Sequence, residues 1–452
     1  MKTVVIGAGR SGLAVAKRLL RDGDEVVIGD HLRDASSMAE TRRLFEAQLH
    51  AEGLPSPEWR SKEWYDGPPT IAHLEQRVVL SPGVPAARLL DAMRGKGITI
   101  TGEIELAMER IQAPVVGITG TNGKSTVTAL CGAIANATGK PTFIGGNLGT
   151  PLVEAIDTPA AAADGLCVVE LSSFQLETCV RARPRAAALL NLTPDHLDRH
   201  GTMEVYGDVK MRIARNMTGD DVLVVSGEDP ELARALERNP VRCRVLRFGL
   251  DAGDAHIEED DYVVLGERYP RALSRLAGRH NDRNVLAALL LLRASGLASP
   301  DAVRAGLASF RALPHRMELV AERSGVRFYD DSKATNVDSV VAGIDGFPVP
   351  FSLIAGGRDK GGSYAPLVDA LTRGPCRGVV TIGEAAPLIE VAVGARLPVT
   401  RAATLPDAVR LARGWVNAGE AVILSPGCSS FDMFRDYAER GAVFKKAALD
   451  QP

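Results

Sequence analysis

The sequence lacks the features that mark membrane, nucleic-acid-binding and disulfide-stabilised proteins. No apolar run approaches the roughly 18 residues that a membrane-spanning helix needs. The 53 lysines and arginines nearly balance the 56 acidic residues, and no basic patch stands out, so we expect no nucleic-acid partner. The six cysteines are scattered without a Cys-x-x-Cys pair, which argues against a zinc site or a disulfide framework. We therefore expect a reduced, cytoplasmic protein that does not bind a membrane.

The composition is that of an ordinary globular protein with large cores. Of the 452 residues, 45% are hydrophobic and 24% are charged. The apolar start at Met1 briefly looks like a signal peptide, but Arg10, Ser11 and Lys17 interrupt it and no clear cleavage site follows. The length predicts about three domains.

The strongest motif spans residues 114–126. A buried strand is predicted from Val115 to Ile118, followed by the turn 120–123 and a helix that begins at Lys124. A glycine-rich turn at a helix N-terminus exposes backbone N–H groups that suit phosphate oxygens. Ile118 stands where the first glycine of the common phosphate-loop pattern belongs, but the core Gly-Thr-Asn-Gly-Lys-Ser-Thr is intact.

The N-terminal segment has a weaker motif. Gly7, Gly9 and Gly12 lie between a predicted strand and a helix, and Asp30 ends the next strand, as in a dinucleotide-binding fingerprint. Any nucleoside diphosphate could occupy such a turn, so the motif alone does not select a nicotinamide. A further strand ends in the rigid turn 81–85, and residues 59–69 are predicted to form a surface loop.

Polar residues follow several further predicted strands. In the middle of the chain, Glu170 ends the strand that begins at Leu166, and residues 191–200 follow another buried strand. A carboxylate at a strand end near a phosphate loop suits Mg²⁺. Asn281 and Asn284 could present amides to a base, or Asn281 could cap the apolar helix that follows.

The last third of the chain predicts another α/β sheet. Strands at 326–329, 351–354, 379–382 and 421–424 alternate with helices. Three of them end in polar stretches, residues 330–336, 355–362 and 425–432, which predicts a ligand-binding rim at one sheet edge.

Taken together, the motifs resemble those of the Mur ligases. The resemblance rests on the phosphate loop and five further stretches, and it runs in order along essentially the whole chain: residues 170–177, 195–199, 313–316, 331–336 and 424–430. It implies an α/β protein of three domains: a Rossmann-like UDP-substrate domain (1–103), a central P-loop ATPase-like domain (104–311) and a C-terminal Rossmann-like amino-acid-binding domain (312–452).

The resemblance also implies the activity: ATP-dependent addition of D-glutamate to UDP-N-acetylmuramoyl-L-alanine, through an acyl phosphate, in peptidoglycan precursor synthesis. The expected cofactors are ATP and two Mg²⁺ ions, and the expected state is a monomer. The alternatives are another Mur ligase, a folylpolyglutamate synthase-like ligase, a nicotinamide dehydrogenase, or a nucleotide-switched binding protein without catalysis.

The resemblance assigns roles by position. ATP would contact the phosphate loop and five later residues: Gly120, Thr121, Asn122, Gly123, Lys124, Ser125, Thr126, Asn281, Asn284, His315, Arg316 and Asp331. The metal ligands would be Ser125, Glu170, His196 and Lys210. Lys210 would act as a carbamate, because a bare ammonium cannot bind a cation. Lys124, Glu170, His196, Lys210, Asp331 and Lys333 would be catalytic.

Two further sets would hold the other substrates. The UDP-linked substrate would contact Arg10, Ser11, Asp30, Gly83 and Asn147. D-Glutamate would be positioned by Thr335, Lys360, Ser430, Phe431 and Tyr437, with Ser332 and Lys333 supporting the transferring phosphate.

Overall fold

The computed structural model describes residues 1–62, 77–84, 98–276 and 278–451, and it shows three separate sheets in chain order. Each sheet is mostly parallel and is packed with helices, which agrees with the predicted α/β class. No helix among these residues is long and apolar enough to cross a membrane.

The first sheet contains the predicted fingerprint. Its elements are β1 (Lys2–Ile6), α1 (Arg10–Arg21), β2 (Glu25–Gly29), α2 (Ala35–Ala51), β3 (Glu58–Arg60), β4 (Arg77–Leu80) and β5 (Thr99–Gly102). All five strands are parallel, in the order β3-β2-β1-β4-β5. A Cβ on Gly12 would lie 1.8 Å from the carbonyl oxygen of Gly7, so α1 packs against the end of β1 only because residue 12 is glycine.

The prediction of a surface loop at residues 59–69 is wrong at its start. Trp59 lies in β3, and its ring packs edge-on against Phe45 of α2 with 6.1 Å between centroids. Contact with α2 half-buries this aromatic side chain, which a composition-based loop prediction does not anticipate. The rest of that predicted loop from residue 63, and Pro85 of the predicted turn, lie outside the described residues.

The second sheet has nine strands. The strands are β6 (Val115–Thr119), β7 (Thr142–Gly146), β8 (Leu166–Glu170), β9 (Ala186–Leu189), β10 (Val222–Ser226), β11 (Arg244–Phe248), β12 (Ala255–Glu258), β13 (Asp261–Val264) and β14 (Glu267–Pro270). Their order is β14-β13-β12-β11-β10-β9-β6-β8-β7. The last three strands form an antiparallel extension, which the sequence analysis did not predict.

Eight helices accompany this sheet among the described residues. They are α3 (Glu103–Met108), α4 (Lys124–Ala137), α5 (Ser173–Leu176), α6 (Leu197–His200), α7 (Met203–Met211), α8 (Pro230–Arg238), α9 (Arg279–Ala294) and α10 (Pro300–Ser309). Every residue from Val285 to Leu292 of α9 is fully buried, because this helix lies in the core between α4 and strands of the sheet. That burial confirms the strongly apolar helix predicted at this position.

The third sheet has six strands. Its elements are β15 (Glu318–Arg323), β16 (Val326–Asp330), α11 (Val337–Ile344), β17 (Phe351–Gly356), α12 (Ala365–Arg373), β18 (Cys376–Ile382), α13 (Ala386–Val393), β19 (Val399–Arg401), α14 (Leu405–Arg413), β20 (Ala421–Leu424) and α15 (Tyr437–Leu449). The order β15-β16-β20-β17-β18-β19 places the ends of β16, β20 and β17 side by side, so the three polar stretches share one edge. The four predicted strands are confirmed; β15, which is antiparallel, and β19 were not predicted.

Helix α3 connects the first sheet to the second. The carboxylate of Glu105 accepts hydrogen bonds from three consecutive backbone N–H groups, those of Val180, Arg181 and Ala182. Glu103 Oε1 accepts another from the N–H of Val153 at 2.7 Å. Both side chains are buried, so this short helix is anchored to the second sheet by hydrogen bonds from four backbone N–H groups.

Candidate active site

The phosphate loop has the geometry that the sequence predicts. It follows β6, and Gly120 and Gly123 have positive φ angles of 145° and 82°. A Cβ at Gly123 would lie 2.3 Å from Asn284 Oδ1, and one at Gly120 would lie 3.0 Å from the Cβ of Leu190. The turn therefore needs glycine at both positions, and Lys124 begins α4 directly after it.

Asn191, which the sequence analysis left without a role, holds this loop. Its Oδ1 accepts the backbone N–H groups of Thr121 and Asn122 at 3.1 and 2.8 Å, and its Nδ2 donates to the carbonyl of Asn122 at 3.1 Å. Asn191 follows the buried strand β9 after one further apolar residue, Leu190. A polar amide just after a buried strand was the sequence feature that could have predicted this role.

Two lysine side chains meet under the loop. The Nζ atoms of Lys124 and Lys210 donate to the carbonyl of Gly120 at 3.0 and 2.8 Å. Lys210 is 1% exposed and also lies over the ring of Tyr206. Burial, together with the charge of Lys124, lowers the pKa of Lys210 well below its usual value. Burial likewise lowers the pKa of Lys124, against the opposing effect of Glu170.

Glu170 ends β8 and is buried. Its Oε1 accepts a hydrogen bond from Asn147 Nδ2 at 2.7 Å, while its Oε2 is buried without a hydrogen-bond partner among the described residues. Asn147 itself is exposed. A buried carboxylate oxygen without a partner is costly unless a ligand satisfies it. This oxygen is therefore suited to a cation.

His196 lies at the N-terminus of α6 with a left-handed φ of 53°. Its ring lies 4.8 Å from the ring of Phe174, and its Nε2 lies 3.6 Å from Asp195 Oδ2. Burial lowers the pKa of His196 despite the opposing charge of Asp195, which favours the neutral ring that binds metals.

A cavity of about 560 Å³ lies beside the phosphate loop, and its lining contains residues from the second sheet and from the third-sheet segment: Asn122, Asn281, Asn284, Arg316 and Ser339. Gly278 caps α9, so the alternative that Asn281 is the helix cap is wrong. The Nε of Arg316 is buried without a hydrogen-bond partner among the described residues. That atom, the two amides and the loop are suited to a polar, anionic ligand.

His315 and Asp331 support the cavity without lining it. His315 Nδ1 bonds Asp330 Oδ2 at 2.7 Å, and Glu318 accepts the backbone N–H of His315. Asp331 accepts a hydrogen bond from Ser425 Oγ at 2.7 Å, and burial raises the pKa of Asp331 to about 7. These bonds hold the turn that carries Arg316.

Arg440, fully buried on α15, joins the rim of the third sheet. Its guanidinium donates to Ser332 Oγ and to the carbonyl oxygens of Ser332 and Cys428. Ser332 Oγ donates to the carbonyl of Tyr437, and Lys333 Nζ donates to the Tyr437 hydroxyl at 3.2 Å. The structure thus brings Ser332, Lys333 and Tyr437 together at this rim.

A second cavity of about 220 Å³ lies between the rim of the third sheet and His196, and residues of both line it. Lys360 lines it and forms an ion pair with Asp195, with 3.3 Å between Nζ and Oδ1. Thr335 is half-buried in the loop before α11, Ser430 is buried, and the ring of Phe431 is 65% exposed. These three do not line this cavity.

Four of the five residues predicted to hold the UDP-linked substrate, Arg10, Ser11, Asp30 and Gly83, follow the carboxyl ends of the neighbouring strands β2, β1 and β4. Asp30 is buried and accepts backbone N–H groups from Ala8, Leu32 and Arg33, so its carboxylate holds its own turn. Burial opposes ionisation of Asp30, but these hydrogen bonds lower its pKa. Arg10 and Ser11 begin α1, and Gly83 is exposed in the turn after β4.

Comparison with known proteins covers the whole chain. The sequence matches the Mur ligase middle domain over residues 118–292 and the Mur ligase, glutamate ligase domain over residues 315–428. It is 42% identical to the UDP-N-acetylmuramoylalanine–D-glutamate ligase of Geotalea daltonii, with 99% of this chain and 96% of that protein covered.

Solved structures share the fold. The UDP-N-acetylmuramate-alanine ligase of Thermotoga maritima superposes with a TM-score of 0.61 at 18% identity, covering 99% of both chains. The MurF ligase of the same organism, solved in complex with ADP, has a TM-score of 0.60 at 20% identity and covers 84% of this chain and 97% of its own.

Proposed function

The chain belongs to the Mur ligase family, and we propose that it joins D-glutamate to the alanyl carboxylate of UDP-N-acetylmuramoyl-L-alanine at the expense of ATP. The observation that carries this proposal is the 42% identity, over 99% of this chain, to a UDP-N-acetylmuramoylalanine–D-glutamate ligase. The reaction would build a cytoplasmic peptidoglycan precursor.

ATP would bind with its phosphates at the phosphate loop and its nucleoside in the larger cavity. The backbone N–H groups at the N-terminus of α4 and the Lys124 ammonium would neutralise the β- and γ-phosphates. Asn281, Asn284 and Arg316, which line the cavity, would contact the remainder of the nucleotide. The buried, unpartnered Nε of Arg316 supports an anionic group there.

The chemistry would run in two steps through an acyl phosphate. The alanyl carboxylate attacks the γ-phosphorus, which forms the acyl phosphate and releases ADP. The amine of D-glutamate then attacks the acyl carbon, and phosphate leaves as the amide forms. A carboxylate is a poor electrophile until it is phosphorylated, and Lys124 and Lys333 would screen the approaching anions.

Two Mg²⁺ ions fit the residues around the loop. Ser125 and Glu170 would hold one, and the unpartnered Oε2 of Glu170 supports this assignment. His196 and Lys210 would hold the other. When bound, the ions would lower the electrostatic cost of bringing carboxylate and phosphate together.

Carbamoylation of Lys210 would suit its position. The Nζ atom is buried next to the phosphate loop, 2.8 Å from the carbonyl of Gly120. A fixed positive charge there would repel a metal ion, whereas a carbamate offers carboxylate oxygens. We therefore assign Lys210 as the modified ligand.

The three sheets would form the cores of three domains, at 1–103, 104–311 and 312–452. The first would hold the UDP group through Arg10, Ser11, Asp30 and Gly83, with Asn147 extending from the second. The third would hold D-glutamate through Thr335, Lys360, Ser430, Phe431 and Tyr437, with Asp331 and His315 fixing the nucleotide-binding turn.

A phosphate-release assay tests the function directly. Purified protein is given ATP, Mg²⁺ and UDP-N-acetylmuramoyl-L-alanine with D-glutamate, L-alanine or meso-diaminopimelate, and a separate arm supplies a folate with L-glutamate. We expect release only with D-glutamate. Turnover in another arm without turnover with D-glutamate would assign a different ligase activity.

Lys124→Ala provides the matching test of the phosphate loop. We expect kcat to fall by at least about 100-fold, because a charge that stabilises the transferring phosphate is lost. Lys140→Ala, which removes an exposed lysine after the end of α4, serves as the control. Near-normal turnover of Lys124→Ala in the same assay would contradict the assigned role.

A further inference from the structure

Asp195 links the second and third sheets through charge. Its Oδ1 accepts hydrogen bonds from Lys360 Nζ at 3.3 Å and from the N–H of His196 at 3.0 Å, and its Oδ2 accepts one from Asn336 Nδ2 at 3.4 Å. The Asp195 side chain is 9% exposed. A carboxylate so far removed from water is costly to leave without a cationic partner.

The smaller cavity opens onto this ion pair. Asp195, His196, Asn336 and Lys360 all line it, so one wall presents an anion and a cation side by side. Asp359, which also lines the cavity, is already bound by the Tyr364 hydroxyl and the N–H of Gly361. The wall therefore complements a small zwitterion, which carries both a carboxylate and an ammonium group.

We propose that Asp195 binds the ammonium group of the incoming amino acid. This inference rests on the proposed function, in which Lys360 binds a carboxylate of D-glutamate. When Lys360 turns to that carboxylate, Asp195 loses its cation, and the substrate ammonium replaces it. One internal ion pair is exchanged for two pairs with the substrate, and no buried charge is left alone.

This exchange predicts selection for the amino group itself. Glutarate has both carboxylates of glutamate but no ammonium, so its binding would take Lys360 and supply no ammonium to replace that lysine beside Asp195. In the wild-type protein we expect glutarate, as a competitor of D-glutamate, to have a Ki at least about tenfold above the KM for D-glutamate. A Ki equal to that KM would overturn the inference.

The Asp195→Asn variant tests the same point with two nucleophiles. ADP release with ATP and UDP-N-acetylmuramoyl-L-alanine is measured with D-glutamate and, separately, with hydroxylamine, which is mostly uncharged at pH 7.5 and attacks acyl phosphates. We expect the ratio of D-glutamate to hydroxylamine turnover, both at subsaturating concentrations, to fall at least about tenfold. A ratio unchanged from wild type would show that Asp195 acts only in supporting the site.

Asp338→Asn is the matched control, because it removes a carboxylate from the same cavity that does not contact Lys360. Its ratio should stay at the wild-type value, and a drop equal to that of Asp195→Asn would contradict a specific role for Asp195. Wild-type protein that releases no ADP with either nucleophile would instead refute the proposed function. If Asp195→Asn does not fold, the glutarate comparison on wild type still decides.

Discussion

The carbonyl of Gly120 accepts hydrogen bonds from two lysines, the half-buried Lys124 and the buried Lys210. Burial lowers the pKa of both amines, and the charge of Lys124 lowers the pKa of Lys210 further. Such a cluster is unfavourable by itself, since two like charges share a site of low dielectric. An anionic ligand and the modification of one amine would both relieve it.

Replacement of Lys210 separates the two possible roles of this side chain. We expect Lys210→Ala to lose at least about 100-fold in kcat and to regain part of it with added acetate or formate, because a free carboxylate can occupy the place of the carbamate. Phosphate release with D-glutamate is the measurement. Rescue by ethylamine instead of acetate would indicate that the ammonium itself is required.

Asn191 offers a prediction about the phosphate loop. Asn191→Ala removes the acceptor of two N–H groups, so we expect the KM for ATP to rise about tenfold, from hydrogen bonds worth about 1 kcal/mol each. The KM for the UDP-linked substrate should stay unchanged. Asn216→Ala, which removes an amide bound to two backbone carbonyls away from the loop, is the control.

At the scale of elements, α3 is the joint between the first two sheets. It is six residues long, too short to be stable alone, and both of its glutamates are buried. Glu105 is satisfied by three N–H groups, whereas Glu103 Oε2 has no hydrogen-bond partner among the described residues. Burial raises the pKa of Glu103 to about 7, against its hydrogen bond from Val153.

Glu103 should therefore make stability depend on pH. Between its ordinary pKa of 4.5 and about 7, the unfolded chain has ionised Glu103 while the folded chain keeps it protonated. The unfolded state binds fewer protons, so the contribution of this group to stability falls as pH rises, by about 3 kcal/mol in all.

Glu103→Gln tests this contribution. The variant keeps an acceptor for Val153 and cannot ionise, so its melting temperature should exceed that of the wild type at pH 8 and match it at pH 5. Scanning calorimetry at both values is the measurement. A constant difference at the two pH values would contradict ionisation as the cause.

At the scale of the molecule, the larger cavity is divided between two sheets. Asn122 and Asn284 belong to the second, while Arg316 and Ser339 belong to the segment of the third. Asn336 Nδ2 and Ser339 Oγ already donate to Asn122 Oδ1, and Lys360 pairs with Asp195, so polar contacts connect the rim of the third sheet to the phosphate loop and to the segment after β9. Contacts of this kind are readily exchanged for a ligand.

We therefore expect the third domain to move against the second when a non-hydrolysable ATP analogue and UDP-N-acetylmuramoyl-L-alanine bind together. Small-angle scattering should show a change in the radius of gyration with both ligands and a smaller one with either alone. Identical profiles with and without both ligands would contradict this prediction.

Local chemistry made much of the fold and of the candidate site predictable from the sequence. The phosphate loop, the strand that ends at Glu170 and the glycines of the first fingerprint each depend on residues close in sequence, where a turn, a positive φ angle or a helix N-terminus dictates the residue type. Strands β17 and β20 of the third sheet were predictable for a related reason, because they are buried along their whole length and are mostly apolar. The ligase family followed from the order of these motifs.

Contacts between distant residues had to come from the tertiary structure. Asn191 reaches the loop across about 70 positions, Asp195 meets Lys360 across 165, and His315 turns to Asp330 instead of lining the nucleotide cavity. A side chain's partner depends on which strand ends the sheet order places together, and no local pattern encodes that order. For this reason the residue types of the site could be read along the chain, whereas the pairing of its charges was decided only by folding.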